Sequence, residues 1–189
     1  MRLLQELDWL TEPDVVARAQ AAMGRPASLE RDTELAILFI ALGRFDQASD
    51  YAESAFNAQP DEPYGAYACG VVRVQQGDWE RALAALQKIP ADFERAGEVG
   101  ALCAVSLYEL GRAGEADRLA QTFVSVDDET HGTLCALRGR CAVALGDQAA
   151  AAAFFDEALQ YAPKLEWVRK VRATLPRAAS AADVAAVVI

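Results

Sequence analysis

Small and apolar residues return along this chain with a long, nearly constant period. Gly43, Gly77, Gly111 and Gly146 are spaced by 34, 34 and 35 residues. Seven positions before each glycine lies a small residue (Ala36, Gly70, Ala104, Gly139). Five positions after it lies an alanine (Ala48, Ala82, Ala116, Ala151), and twelve after it an apolar residue (Ala55, Ile89, Phe123, Ala158). Four offsets held over four copies mark an internal repeat, which for this period is a helical hairpin. The glycine falls where a first helix ends, at the left-handed position that a residue with a Cβ resists. The small residue two turns earlier and the alanine near the start of the second helix let two antiparallel helices approach closely. Asp46, Asp78 and Glu80 put acids at the start of the second helices, complementing the helix dipole.

Stop signals follow the same period. Pro60 and Pro163 lie 17 residues past their glycines, whereas Pro90 predicts an early end to the second helix of the second copy, with 91–95 as loop. Asp127 and Asp128 stand where the third copy has no proline. Upstream, Ala21 and Pro26 keep the register, which predicts a helix over 12–23 behind a shortened one over 3–10. Downstream, Leu165, Val168, Arg172 and Leu175 mark an amphipathic helix that caps the last apolar face.

The pattern resembles the tetratricopeptide-repeat (TPR) family, whose motif reads W-x2-L-G-x2-Y, then A-x3-F-x2-A, then P. The first copy matches through Leu35, Ala36, Phe39, Ala48, Ala52, Ala55 and Pro60, the fourth through Gly139, Ala151, Phe155, Ala158 and Pro163. Arg73 stands where an aromatic is usual, Arg138 stands where leucine is usual, and no copy has the first tryptophan. The expected architecture is an all-α superhelix (solenoid) of antiparallel helix pairs. Residues 1–28 form a degenerate helical repeat, and 29–62, 63–96, 97–131 and 132–165 form four repeats. Residues 166–176 form a capping helix and 177–189 a flexible Ala-rich tail.

The resemblance implies a concave groove lined by the first helices. On it fall Thr33 and Ile37; Tyr64, Tyr67, Val71 and Val74; Leu102, Val105 and Tyr108; and Leu137, Arg140 and Val143. This groove is apolar and tyrosine-bearing, which suits peptide recognition. At helical spacing Val71, Leu102, Val105 and Val143 could equally be core. The Lys/Asn/Arg clamp of chaperone-binding TPR proteins is missing, because Thr33 and Ile37 occupy its first positions. The chain is also similar in size and charge to the class II chaperones of type III secretion, which hold translocator proteins in the bacterial cytosol.

Charge and composition narrow the partners. The net charge is −10, which disfavours nucleic acid and anionic lipid. No secretory signal or membrane-spanning run is visible, so the expected location is cytoplasmic, without membrane insertion. Cys69, Cys103, Cys135 and Cys141 form no CxxC pair, and Cys69 and Cys103 share one repeat position. They read as packing residues, with no metal site and no cofactor expected. The single histidine, His131, is placed in a turn beside Asp127, Asp128 and Glu129, and acids such as Asp50 and Glu53 on a solvated outer face. No phosphate loop or catalytic constellation converges. The expected function is therefore not enzymatic: an adaptor or chaperone holding a protein or peptide partner, as monomer or homodimer. The alternative is a self-assembling scaffold that stacks through the face of Leu165, Val168 and Leu175.

Overall fold

The computed structural model describes residues 3–123 and 128–175, and every regular element among them is an α-helix. The chain divides into two compact units, residues 1–106 and 107–189. The expected tail, 177–189, lies outside the described residues.

The first unit opens with α1 (Leu3–Leu7) and α2 (Glu12–Met23). The first of these is shorter than expected: the chain turns at Trp9, whose backbone N–H bonds the Glu6 carbonyl, and leaves the indole 88 % exposed. Next come α3 (Leu29–Ala41), α4 (Phe45–Ala58), α5 (Pro63–Gln76) and α6 (Trp79–Leu86), packed each against the next, with α3 also touching α5. The N-terminus of α3 is capped by Ser28, whose hydroxyl accepts from the Arg31 N–H, and that of α5 by Glu62, whose carboxylate accepts from the Gly65 N–H. Leu35, Ile37, Leu38 and Phe39 make α3 the centre of this core. Its polar start is held from α2: Glu34 takes Arg18 Nε at 2.7 Å and also pairs with Arg25.

A helix α7 (Ala96–Glu109) crosses the division between the units. The second unit continues through α8 (Ala113–Gln121), α9 (Asp128–Ala144), α10 (Gln148–Tyr161) and α11 (Glu166–Thr174). Its core gathers Cys135, Ala136, Ala142, Ala151, Phe155 and Ala158 from α9 and α10 with Val168 of α11. Leu165, Val171 and Leu175 pack on its margin. The face expected to be open for stacking is therefore covered from within at Val168, which is fully buried, while Leu165 and Leu175 are half-buried.

The four turns are one motif repeated. Among the described residues, only Gly43, Gly77, Gly111 and Gly146 have positive φ, between 66° and 83°. In each turn the glycine N–H bonds the carbonyl three residues back, and the next N–H bonds the carbonyl five back: Arg44 to Phe39, Asp78 to Arg73, Arg112 to Leu107, Asp147 to Ala142. This double closure is a Schellman cap. The residue after the glycine then starts the next helix, and Asp78 and Asp147 also cap it by side chain.

With the turn fixed, the position seven before the glycine meets the position nine after it. A Cβ on Gly70 would lie 2.4 Å from Leu86 Cδ2, and one on Gly139 would lie 2.5 Å from Phe155 Cε1. Both large side chains are fully buried. In the hairpin of α3 and α4 the same positions hold Ala36 and Ala52, both fully buried. A glycine is thus matched to a large residue, and an alanine to an alanine.

Second helices differ in length. The fourteen residues of α4 and α10 contrast with eight in α6 and nine in α8. Pro90 offers no N–H to continue α6, and the Thr122 hydroxyl donates to the Leu119 carbonyl at 2.7 Å where α8 ends. Ile89 and Phe123, the apolar residues twelve past their glycines, lie beyond these ends.

The volume match is testable by a double-mutant cycle in urea. Gly70→Ala alone should cost about 1–3 kcal/mol through overpacking, and Leu86→Ala alone about 2–5 kcal/mol through a cavity. The double variant recreates the Ala–Ala pair and should recover at least about 1 kcal/mol of their sum. Simple additivity would contradict the match.

Candidate functional site

In the first unit, the positions expected to line a groove divide by burial. Thr33, Ile37, Tyr67 and Val71 are buried, while Tyr64, Val74, Leu102 and Val105 are half-buried. The expectation that Tyr67 is exposed is corrected by the loop after Pro90. Phe93 folds back from that loop, 5.2 Å from the Tyr64 ring and 5.8 Å from the Tyr67 ring. The Tyr67 hydroxyl donates to Glu98 Oε1 at 2.7 Å. Burial first, then the Glu98 carboxylate, pushes the Tyr67 phenol far above its ordinary range. Thr33 and Ile37 are the inward face of α3, and the Thr33 hydroxyl has no protein partner among the described residues.

The second unit presents an open site. A cavity of about 400 Å³ is lined by Tyr108 of α7, Arg140 and Val143 of α9, Phe155 of α10, and Trp167 and Val171 of α11. Phe155 is its buried floor; Val143 and Trp167 are 45 % and 42 % exposed. The Arg140 guanidinium lies 4.2 Å from the Tyr108 ring centroid, and its Nη2 donates to Glu109 Oε1 at 2.9 Å. Cation–π contact and ion pair together hold the cation over the ring. Leu137, one turn earlier on α9, is buried. Tyr108, Arg140 and Val143 are therefore brought together at one cavity, and Leu137 is not part of its lining. Phe155, Trp167 and Val171 were missed as lining residues. Trp167 and Val171 are four apart on α11, a spacing visible in sequence, but the sequence reading of this segment rests on Leu165, Val168, Arg172 and Leu175, as a cap or a stacking face.

Two other expectations change, for Glu53 and His131. Arg73 bridges from α5 to Glu53 of α4 and lies 3.6 Å from Asp78, so Glu53 is paired rather than purely solvated. Arg138 donates to Asp117 Oδ1 at 2.9 Å and lies 4.0 Å from the Phe154 ring centroid. His131 sits within α9 rather than in a turn. There it is half-buried, edge-on to Tyr161 at 4.4 Å, and close to Cys135 and Glu157. All four cysteines are buried free thiols. Burial pushes the Cys103, Cys135 and Cys141 thiols up to about 11. It also raises Cys69, although the Arg73 cation pulls the other way.

Comparisons with known proteins follow the same hairpins. Tetratricopeptide-repeat family models match residues 33–97 and residues 132–165, together just over half of the chain. The chain belongs to the tetratricopeptide-repeat family. As a TPR protein it is a protein-interaction module with the all-α solenoid fold. Among solved structures it resembles MamA (MSR-1 C2), at TM-score 0.65 and 20 % identity over 79 % of this chain and 93 % of that one. TTC0263, a thermophilic TPR protein of Thermus thermophilus, matches at 0.61 and 18 % over 90 % and 91 %. YrrB, described as a TPR protein with an unusual peptide-binding site, matches at 0.60 and 16 % over 75 % and 72 %. No curated protein matches the chain. No helix among the described residues is long and apolar enough to cross a membrane.

The buried Tyr67 hydrogen bond carries a pH signature. At neutral pH Tyr67→Phe should cost about 1–2 kcal/mol. Above pH ~10 the unfolded tyrosine releases its proton while the folded one keeps it, so the unfolded state binds fewer protons and wild-type stability falls, by up to about 1.4 kcal/mol per pH unit. The phenylalanine variant lacks this loss, and the gap between the two should narrow as pH rises past ~10. Urea denaturation at neutral pH and about half a unit above the ordinary tyrosine pKa measures it; an unchanged gap would contradict the buried, neutral phenol.

Proposed function

We propose that this TPR protein is an adaptor or chaperone that seats an apolar segment of a partner protein in the cavity of its second unit. The observation that carries the reading is the combination of an open recess of about 400 Å³ with an aromatic floor and exposed Val143 and Trp167 at its lip. Ligand pockets are mainly apolar with a few placed polar groups, and Arg140 beside Tyr108 supplies such a group. On the first unit, the half-buried Tyr64, Val74, Leu102 and Val105 offer further contacts to a partner. Peptide binding by YrrB supports this reading by analogy of fold alone.

Within it, the chain works by binding rather than catalysis, in the cytoplasm. The likeness to translocator chaperones of type III secretion offers one finer version, resting on size, charge and repeat content. A self-assembling scaffold is the competing version. Burial of Val168 in the second unit's core takes one of that version's three residues from the surface, while Leu165 and Leu175 stay half-buried at its margin.

A pull-down from native cytosol should compare wild type with Val143→Asp and with Trp167→Ala. Both side chains are exposed enough for the fold to survive, which circular dichroism checks. Loss of one captured protein by at least about tenfold in both variants is expected, since a well-buried anchor is worth about 1.4 kcal/mol or more. A partner captured equally by all three would place recognition elsewhere, and capture of the chain's own copies alone would favour the scaffold.

A further inference from the structure

We propose that His131 and Cys135 of α9 and Glu157 of α10 form a zinc site in the second unit. Their ligand atoms all lie within 4.8 Å of one another. His131 and Cys135 are four apart on one helix, so they share a face. Gly132 lets α10 come close enough to add the third group: a Cβ there would lie 2.6 Å from Ala162 Cβ and 2.9 Å from the Ala162 backbone nitrogen.

Both separations from the His131 nitrogen match a tetrahedral ion. Bonds of about 2.05 Å to nitrogen and 2.3 Å to sulfur, at the tetrahedral angle, put N and S about 3.5 Å apart; a bond of about 2.0 Å to oxygen puts N and O about 3.3 Å apart. Cys135 Sγ lies 3.6 Å from His131 Nε2, and His131 Nε2 lies 3.4 Å from Glu157 Oε1. The contacts can also be read as a plain hydrogen-bonded pair with a neighbouring thiol, and the experiment below separates the two. Thiolate, imidazole and carboxylate together suit zinc and exclude the oxygen-only preference of calcium and magnesium. Access is graded: Cys135 is buried, the His131 side chain is 20 % exposed and that of Glu157 42 %. An ion can therefore enter from solvent, reach the thiol last and displace its proton. The Tyr161 ring walls one side. Three protein ligands leave a fourth position for water.

The site is independent of peptide binding, since none of its residues lines the Tyr108–Arg140 cavity. Its test uses the reduced, metal-free full chain titrated with Co²⁺. One equivalent should saturate a near-ultraviolet thiolate-to-cobalt charge-transfer band, and Zn²⁺ should abolish the band by displacement. Cys135→Ser should remove the band, and Cys141→Ser should keep it. Glu157→Gln changes a partly exposed side chain and preserves the fold; it and His131→Ala should each weaken Zn²⁺ at least about tenfold by competition with a chromogenic chelator, given that even outer-shell losses cost about 10–100-fold. No band at one equivalent, a band that survives Cys135→Ser, or unchanged Zn²⁺ affinity in both Glu157→Gln and His131→Ala would overturn the proposal.

Discussion

Two helices joined by a tight turn share a core only if their facing side chains sum to the space between them. Interiors are packed too tightly to absorb a methyl group without response. Here the Schellman turn fixes which positions face each other, and the side chains then solve the volume in two ways. Gly70 admits Leu86 and Gly139 admits Phe155, whereas the equivalent positions of the first hairpin hold two buried alanines, Ala36 and Ala52. The positive φ of the four turn glycines is a prerequisite, because a different turn would rotate the second helix and move these residues away from the facing position.

The helix lengths then decide what becomes of the aromatic residues. Since α6 stops at Leu86, nine residues remain before α7, enough to return Phe93 onto Tyr64 and Tyr67. A longer α6 would have left those tyrosines without a lid. In the second unit α10 runs its full fourteen residues, and α11 supplies the covering side chains instead. Val168 reaches the core, while Trp167 stays at the edge, 6.2 Å from the Phe155 ring. One unit therefore closes over its aromatics and the other keeps a recess beside them.

The repeat, the turn glycines and the bounds of α2 were legible because each depends on local pattern: spacing, capping and proline. Exposure was less legible. Ile37 and Val71 occupy positions that the family's geometry places on a groove, but burial depends on what a loop or neighbouring helix lays over them. Nothing in the local sequence of Tyr67 announces Phe93. The same holds for His131 and Glu157. Their meeting needs the pairing of α9 with α10 at Gly132, far from Glu157 in sequence, and a four-residue His–Cys spacing alone is too common to announce it.

The arginines that interrupt the family motif bear on what the recess can bind. Arg73 and Arg138 replace apolar motif residues, yet each is paired with a carboxylate on a neighbouring helix, Glu53 or Asp117. Arg138 also lays its guanidinium over Phe154. Such pairs are worth little when fully solvated, but these arginine side chains are mostly covered, and their stems supply the packing the motif residue would have given. Arg140 follows the same rule with Glu109 and Tyr108. The cation at the recess is thus already neutralised and stacked. A partner carboxylate would have to displace Glu109 in a chain carrying a net charge of −10, whereas an apolar side chain would meet Val143, Phe155 and Trp167 without breaking a bond. In the proposed binding mode an apolar anchor therefore leads recognition, with Arg140 as the placed polar group beside it rather than the main attraction.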